Sequence, residues 1–133
     1  MTANPNGTPT FVHLDDVTPV PLASVTKEGD QGVTRILFEK SLNGSPDLFV
    51  AVFTMEPHQV HPRHSHPNVG EMYFVVEGLC TISLGDEERQ CAAGTAVYIP
   101  AGVNHGVVTA DEGCSVMVAF PQGDWDKVEK VWA

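Results

Sequence analysis

The sequence predicts an all-β fold, a sandwich or barrel of antiparallel strands, on three observations. Short segments rich in Val, Ile, Phe and Tyr follow one another at 33–38, 48–55, 71–77, 79–84, 89–92, 95–99, 104–109 and 113–120. Glycines at 78, 85, 94, 102 and 113 separate them at turn-like intervals, a rhythm of strands joined by tight connections. Helical potential is confined to a short tail, Trp125 to Val131. A chain of 133 residues can bury one hydrophobic core but not two. It therefore reads as a single domain over 1–133, with a barrel core at about 33–120 and a polar, Pro- and Gly-containing arm at 1–10 that is expected to be flexible.

In chain order, Phe11 to Leu14 and Val17 to Leu22 read as short edge segments, because Pro19 and Pro21 cannot donate to a central ladder. Lys27 to Gly32 is a turn-rich connection, Val33 to Phe38 a strand, and Leu42 to Asp47 a turn. The run L-F-V-A-V-F-T-M at 48–55 is almost wholly apolar, as expected of a strand covered on both faces. Further on, Gly85-Asp86-Glu87-Glu88 marks a hairpin turn flanked by Cys80 and Cys91. With Cys114 these make three cysteines, odd in number and without C-x-x-C spacing, which fits reduced, buried thiols in a cytosolic protein.

Charge removes several classes of partner. The formal net charge is −10 and only seven Lys and Arg are present, so nucleic acid and anionic membrane surfaces are not expected ligands. No apolar run approaches the roughly 20 residues of a membrane helix. Met1 to Thr10 has neither a basic start nor an apolar stretch of the secretory kind, and a cytoplasmic location is expected.

Chemistry concentrates between His58 and Gly78. Four of six histidines, His58, His61, His64 and His66, fall within nine residues, and Glu71 follows. On an extended strand His64 and His66 leave the same face, roughly 6–7 Å apart, which suits two ligands of one ion. Pro67, Asn68, Val69 and Gly70 form a turn-prone break that lets the next strand return Glu71 to the same place. A fourth ligand must come from elsewhere in the chain, and His105 is the obvious supplier.

These residues carry a resemblance to the cupins. The first cupin motif, G-x5-H-x-H-x3,4-E-x6-G, is met by His64, His66, Glu71 and Gly78, with His58 where the leading glycine belongs. The second, G-x5-P-x-G-x2-H-x3-N, is met by Gly94, Pro100, Gly102 and His105, with Thr109 in place of the asparagine. Leu79 to Ala93 separate the two. The resemblance implies a small jelly-roll barrel, a single conserved-barrel cupin domain, with one metal held by His64, His66, Glu71 and His105. Three imidazoles and a carboxylate suit one divalent transition ion, Fe, Mn, Ni, Cu, Co or Zn, and leave positions open for a small-molecule substrate.

Two further residues are candidates for the chemistry. Tyr73 shares a strand face with Glu71 and should look into the cavity, where its hydroxyl can donate to a bound oxygen. His58 shares parity with His64 and can serve as a base, whereas His61, three residues from His64, points the other way on a regular strand. The cavity lining is expected to include Phe38, Phe49 or its neighbours, Phe53, Tyr73, Val75, Ile82, Val97 and Ile99. Met72, Phe74 and Val76 face outward, an apolar row that a second subunit of a homodimer would cover. His13 and Glu56 read as ordinary surface residues. The leading functional expectation is a non-haem metal dioxygenase acting on a small organic substrate that chelates the metal. Behind it stand a redox-neutral isomerase, cyclase or lyase and a cupin that binds a small ligand without turnover.

Overall fold

The computed structural model describes residues 4–133, so Met1, Thr2 and Ala3 of the arm lie outside the described residues. The strands are β1 (Val20–Pro21), β2 (Val33–Phe38), β3 (Phe49–Met55), β4 (Val60–Ser65), β5 (Glu71–Leu84), β6 (Glu87–Ala92), β7 (Ala96–Ile99), β8 (His105–Val108), β9 (Cys114–Phe120) and β10 (Val131–Trp132). Every pairing is antiparallel, and the hydrogen-bonded order is β1-β2-β3-β9-β5-β8-β4-β10, with β6 and β7 also on β5. The all-β expectation holds, as a curled single jelly-roll domain.

The curl is built into β5. The two strands expected at 71–77 and 79–84 are one strand of 14 residues. Its first half pairs with β7 and β9, and its second half with β6 and β8. Between the halves the ladder to β9 shifts register at Val75/Glu77, and Gly78 takes φ +82°, a conformation a β-carbon disfavours. A β-carbon there would also stand 2.1 Å from the carbonyl oxygen of Gly113. One strand thus serves both sheets, and the space between them becomes the barrel interior.

Alternation fills that interior. On β9, Cys114, Val116, Val118 and Phe120 are buried while Ser115, Met117 and Ala119 are half-buried. Phe49, Ala51, Phe53 and Met55 enter from β3, and Tyr73, Val75 and Ile82 from β5. Each large side chain so buried contributes about 1.5–3 kcal/mol. Outward-facing Val52 is buried too, at 5% exposure, in keeping with a strand covered on both faces. Phe74 and Val76 stand outward and exposed, as does Tyr98, the β7 partner of Met72. Cys80 lies directly opposite Cys91, and both, like Cys114, are free and buried.

The flanks depart from expectation. The segments around Pro19 and Pro21 form two single turns of 3-10 helix, Leu14–Asp16 and Leu22–Ser24, around the two-residue β1. The turn expected at 42–47 is entered through one helical turn, Lys40–Asn43, ended by Gly44 at φ +77°, and 44–47 is irregular. Thr8 N–H donates to Asn43 O (2.7 Å), which attaches the described part of the arm to that turn. In the tail, helix is limited to a 3-10 turn, Trp125–Lys127, whose N–H at Asp126 is capped by Asp124. The chain then extends into β10 and pairs with β4, Val131 opposite Ser65 and Trp132 opposite His64. Among the described residues no helix is long and apolar enough to cross a membrane.

Candidate metal centre

The barrel brings four side chains to one point inside. His64 belongs to β4, His66 follows that strand's last residue, Glu71 opens β5, and His105 opens β8 directly opposite His64. All four are buried, and one ligand atom from each lies within 4.8 Å of the others.

Their hydrogen bonds fix which atoms face inward. The Nδ1 atoms of His64, His66 and His105 each lie 2.9 Å from a backbone carbonyl, that of Pro62, Glu129 and Val103 respectively. A carbonyl only accepts, so each Nδ1 carries the proton and each Nε2 turns a lone pair inward. Glu71 Oε1 stands 2.9 Å from His105 Nε2 and 3.5 Å from His66 Nε2. Yet Oε1 and His105 Nε2 are both buried without a hydrogen-bond partner among the described residues. Acceptors turned on one another inside a protein repel, and a cation between them relieves the conflict. The donor set therefore fits a divalent transition ion.

Titration agrees with that fit. Burial, helped by neighbouring His61 and His105, pushes His64 down to about 2. Burial also lowers His66, against the opposing pull of Glu71. Both imidazoles stay neutral at physiological pH, the form that binds metal.

Beside the centre lies a cavity of about 40 Å³, enough for two or three waters. Phe49, Phe53 and Tyr73 line it as expected. Phe38, Val75, Ile82, Val97 and Ile99 do not: Val75 and Ile99 are sealed in the core, and Ile82 and Val97 face a separate groove beside Tyr98. β2 presents Thr34 and Ile36 in place of Phe38, and the tail adds Trp125, Lys130 and Trp132. Tyr73 is fully buried, its hydroxyl lacks a partner among the described residues, and its ring meets those of Phe53 and His105 edge-on at 5.6 and 5.7 Å. Burial, then the Glu71 carboxylate, raises its phenol well above the usual range.

Two histidine expectations are corrected. His58 is not a cavity base: it sits in the turn before β4 at φ +60°, with its side chain 69% exposed and Nε2 3.2 Å from Asp111. Strand parity fails there because β4 begins only at Val60. His58 occupies the left-handed position that the cupin pattern reserves for glycine. His61, in contrast, does turn inward. Three steps on β4, from His61 to His64, oppose two on β8, from Val107 to His105, and this bulge reverses the parity. His61 lines the cavity 4.8 Å from the His64 ring.

Its Nδ1 lies 2.9 Å from both carboxylate oxygens of Asp30, a residue not singled out from sequence. Asp30 also accepts from Thr26 Oγ1 at 2.5 Å, and its side chain is wholly buried. Thr109 ties the turn at 56–59 by donating to Glu56 O (2.6 Å) and accepting from Gln59 N–H (2.9 Å).

Known proteins resemble this chain over part or most of its length. Dimethylsulfoniopropionate lyase DddW of Ruegeria pomeroyi is 28% identical over 131 residues, 94% of this chain and 82% of its own length. An uncharacterised protein of Streptomyces coelicolor is 46% identical over 50 residues, 38% of this chain and 48% of that protein. The polyketide cyclase RemF from Streptomyces resistomycificus superposes with a TM-score of 0.75 at 26% identity, over 86% of this chain and 80% of that one. The family model for the cupin domain matches residues 51–120. That span runs from β3 to the end of β9 and holds all four converging side chains, and the chain belongs to the cupin family.

Proposed function

We propose that the protein is a metal-dependent enzyme acting on a small organic substrate by redox-neutral chemistry, an elimination or a cyclisation. The observation that carries the reading is the convergence of three Nε2 lone pairs and a buried carboxylate on one point beside a largely apolar cavity. A divalent ion held by His64, His66, Glu71 and His105 would polarise a carbonyl or carboxylate oxygen of the substrate. The chain's own groups supply the rest. Tyr73 offers a buried hydroxyl with no other partner among the described residues, and burial keeps it protonated, placed to donate to a molecule in the cavity. Asp30 orients His61 through Nδ1, which turns Nε2 away from the carboxylate and leaves it free to accept. Phe49, Phe53, Phe120, Trp125 and Trp132 give the cavity aromatic walls against which an organic substrate can pack.

The named relatives favour this chemistry over the dioxygenase, because elimination by a lyase and ring closure by a cyclase need no oxidant. The dioxygenase stands second, since the same donors accept Fe(II) or Mn(II). Reconstitution separates the two. With a turned-over substrate, the redox-neutral reading expects comparable activity from Zn(II) and Fe(II) samples under nitrogen. Turnover only with the redox-active ion and only in oxygen would overturn it, since Zn(II) cannot exchange an electron with O2.

The exposed Phe74 and Val76 on β5 and Tyr98 on β7 support a homodimer through this sheet face. Light scattering at micromolar concentration is expected to give twice the chain mass, and Phe74→Glu to shift it toward monomer. A stable monomer for the unaltered chain would refute the dimer.

A further inference from the structure

The cavity beside the candidate centre contains one basic side chain that the proposed chemistry does not use. Lys130 is the sole lysine or arginine among its lining residues, in a chain whose net charge is −10. Its Nζ donates to Val128 O at 2.9 Å and stands 4.2 Å from the centroid of the Trp125 ring. An ammonium has three N–H donors, and only that one hydrogen bond is made among the described residues. Nor does any carboxylate among them come within 4 Å of Nζ; Asp126 acts on it only at longer range. The side chain is half-buried between apolar walls, and this desolvation lowers its pKa. A partly dehydrated cation with spare donors gains most from an anion that accepts them.

We propose that Lys130 determines the substrate class: its ammonium receives a carboxylate of a small anionic substrate whose reacting end faces His64, His66, Glu71 and His105. The assignment rests on the reading of that centre as a metal site working on a small oxygen-bearing molecule. It has a second side. The face of Trp125 that would attract a substrate cation is already covered by the protein's own ammonium, so a cationic group is repelled where it would otherwise bind. Charge selection then comes from one residue of the tail, while the centre it serves is built from β4, β5 and β8.

The protein carries its own reporters for a test. Both of its tryptophans, Trp125 and Trp132, line the cavity, so intrinsic fluorescence reads occupancy without turnover. Acetate and acetamide have the same shape and differ in charge; tetramethylammonium supplies the opposite sign. Each is titrated at constant ionic strength into metal-free and zinc-loaded protein, for the unaltered chain, Lys130→Met and Lys130→Arg. Methionine keeps an apolar stem against Trp125 and so preserves packing.

Acetate is expected to bind at least about tenfold more tightly than acetamide in the metal-free protein, a preference of about 1.4 kcal/mol. Lys130→Met should abolish that preference while leaving acetamide unchanged, and Lys130→Arg should retain it. Equal binding of acetate and acetamide by the unaltered metal-free chain would overturn the assignment, as would an acetate preference that survives in Lys130→Met, or tighter binding of tetramethylammonium. If zinc adds nothing to acetate affinity while Lys130→Met still removes the preference, Lys130 stands and the metal reading falls. If zinc strengthens acetate equally in both chains and the metal-free protein shows no preference, the reverse holds.

Discussion

Replacing His105 by alanine is expected to lower divalent-metal affinity by more than the roughly 10–100-fold that loss of an outer hydrogen-bond partner costs. His105 is fully buried and its Nε2 faces Glu71 Oε1 at 2.9 Å, so its loss removes one of four donors and leaves the carboxylate without its nearest counterpart. His64→Ala and His66→Ala should behave alike. Glu71→Gln should be milder, because an amide oxygen still coordinates but brings no charge. His58→Ala is the matched control: exposed in its turn, it should leave occupancy unchanged. Elemental analysis after equilibration against a competing chelator gives the comparison, and full occupancy in all three histidine variants would refute the assignment.

Acid should destabilise the metal-free protein steeply, by about 2 kcal/mol between pH 7 and pH 5 through His64 alone. In the unfolded chain this imidazole titrates near 6.5, whereas in the fold burial and the neighbouring His61 and His105 hold it neutral down to about 2. Below pH 6.5 the unfolded state therefore takes up a proton that the folded state refuses. The contribution of His64 is complete above that pH and declines by about 1.36 kcal/mol per unit as pH falls toward 2. His66, also lowered by burial, adds a loss in the same direction. Denaturant titrations of metal-stripped protein at pH 7, 6 and 5 measure the slope. A midpoint that does not move would contradict the burial of the histidine pair.

The converging residues were legible because they are close in sequence or carried by two ordered motifs: His64, His66 and Glu71 lie within eight positions. Strand positions followed from glycine spacing and β-branched runs. What escaped has local physical causes. A strand interrupted by glycine looks like two strands, and only the pairing of both halves of β5 shows that Gly78 bends one strand without ending it. Parity placed His61 outside because it assumes a regular ladder, and the extra residue opposite β8 cannot be read from composition. Asp30 lies in a turn-rich connection, where an aspartate is the ordinary residue. Its burial depends on the non-local pairing that brings His61 above it. Trp125, Lys130 and Trp132 were missed because β10 is two residues long and its partner, β4, lies far back in the chain.

The donor set also has a folding order. His64 and Glu71 are seven positions apart, whereas His64 and His105 are 41 apart. The longer closure costs about 1.6 kcal/mol more chain entropy, so the local trio assembles at less cost than the complete set. His66 needs more still, since the carbonyl that orients its ring belongs to Glu129, 63 residues onward. Non-local pairings of this kind slow folding. A nascent chain with β4 and β5 formed therefore presents an incomplete, loosely held set of donors. An ion held there would meet the complete, oriented donor set only after the tail has docked.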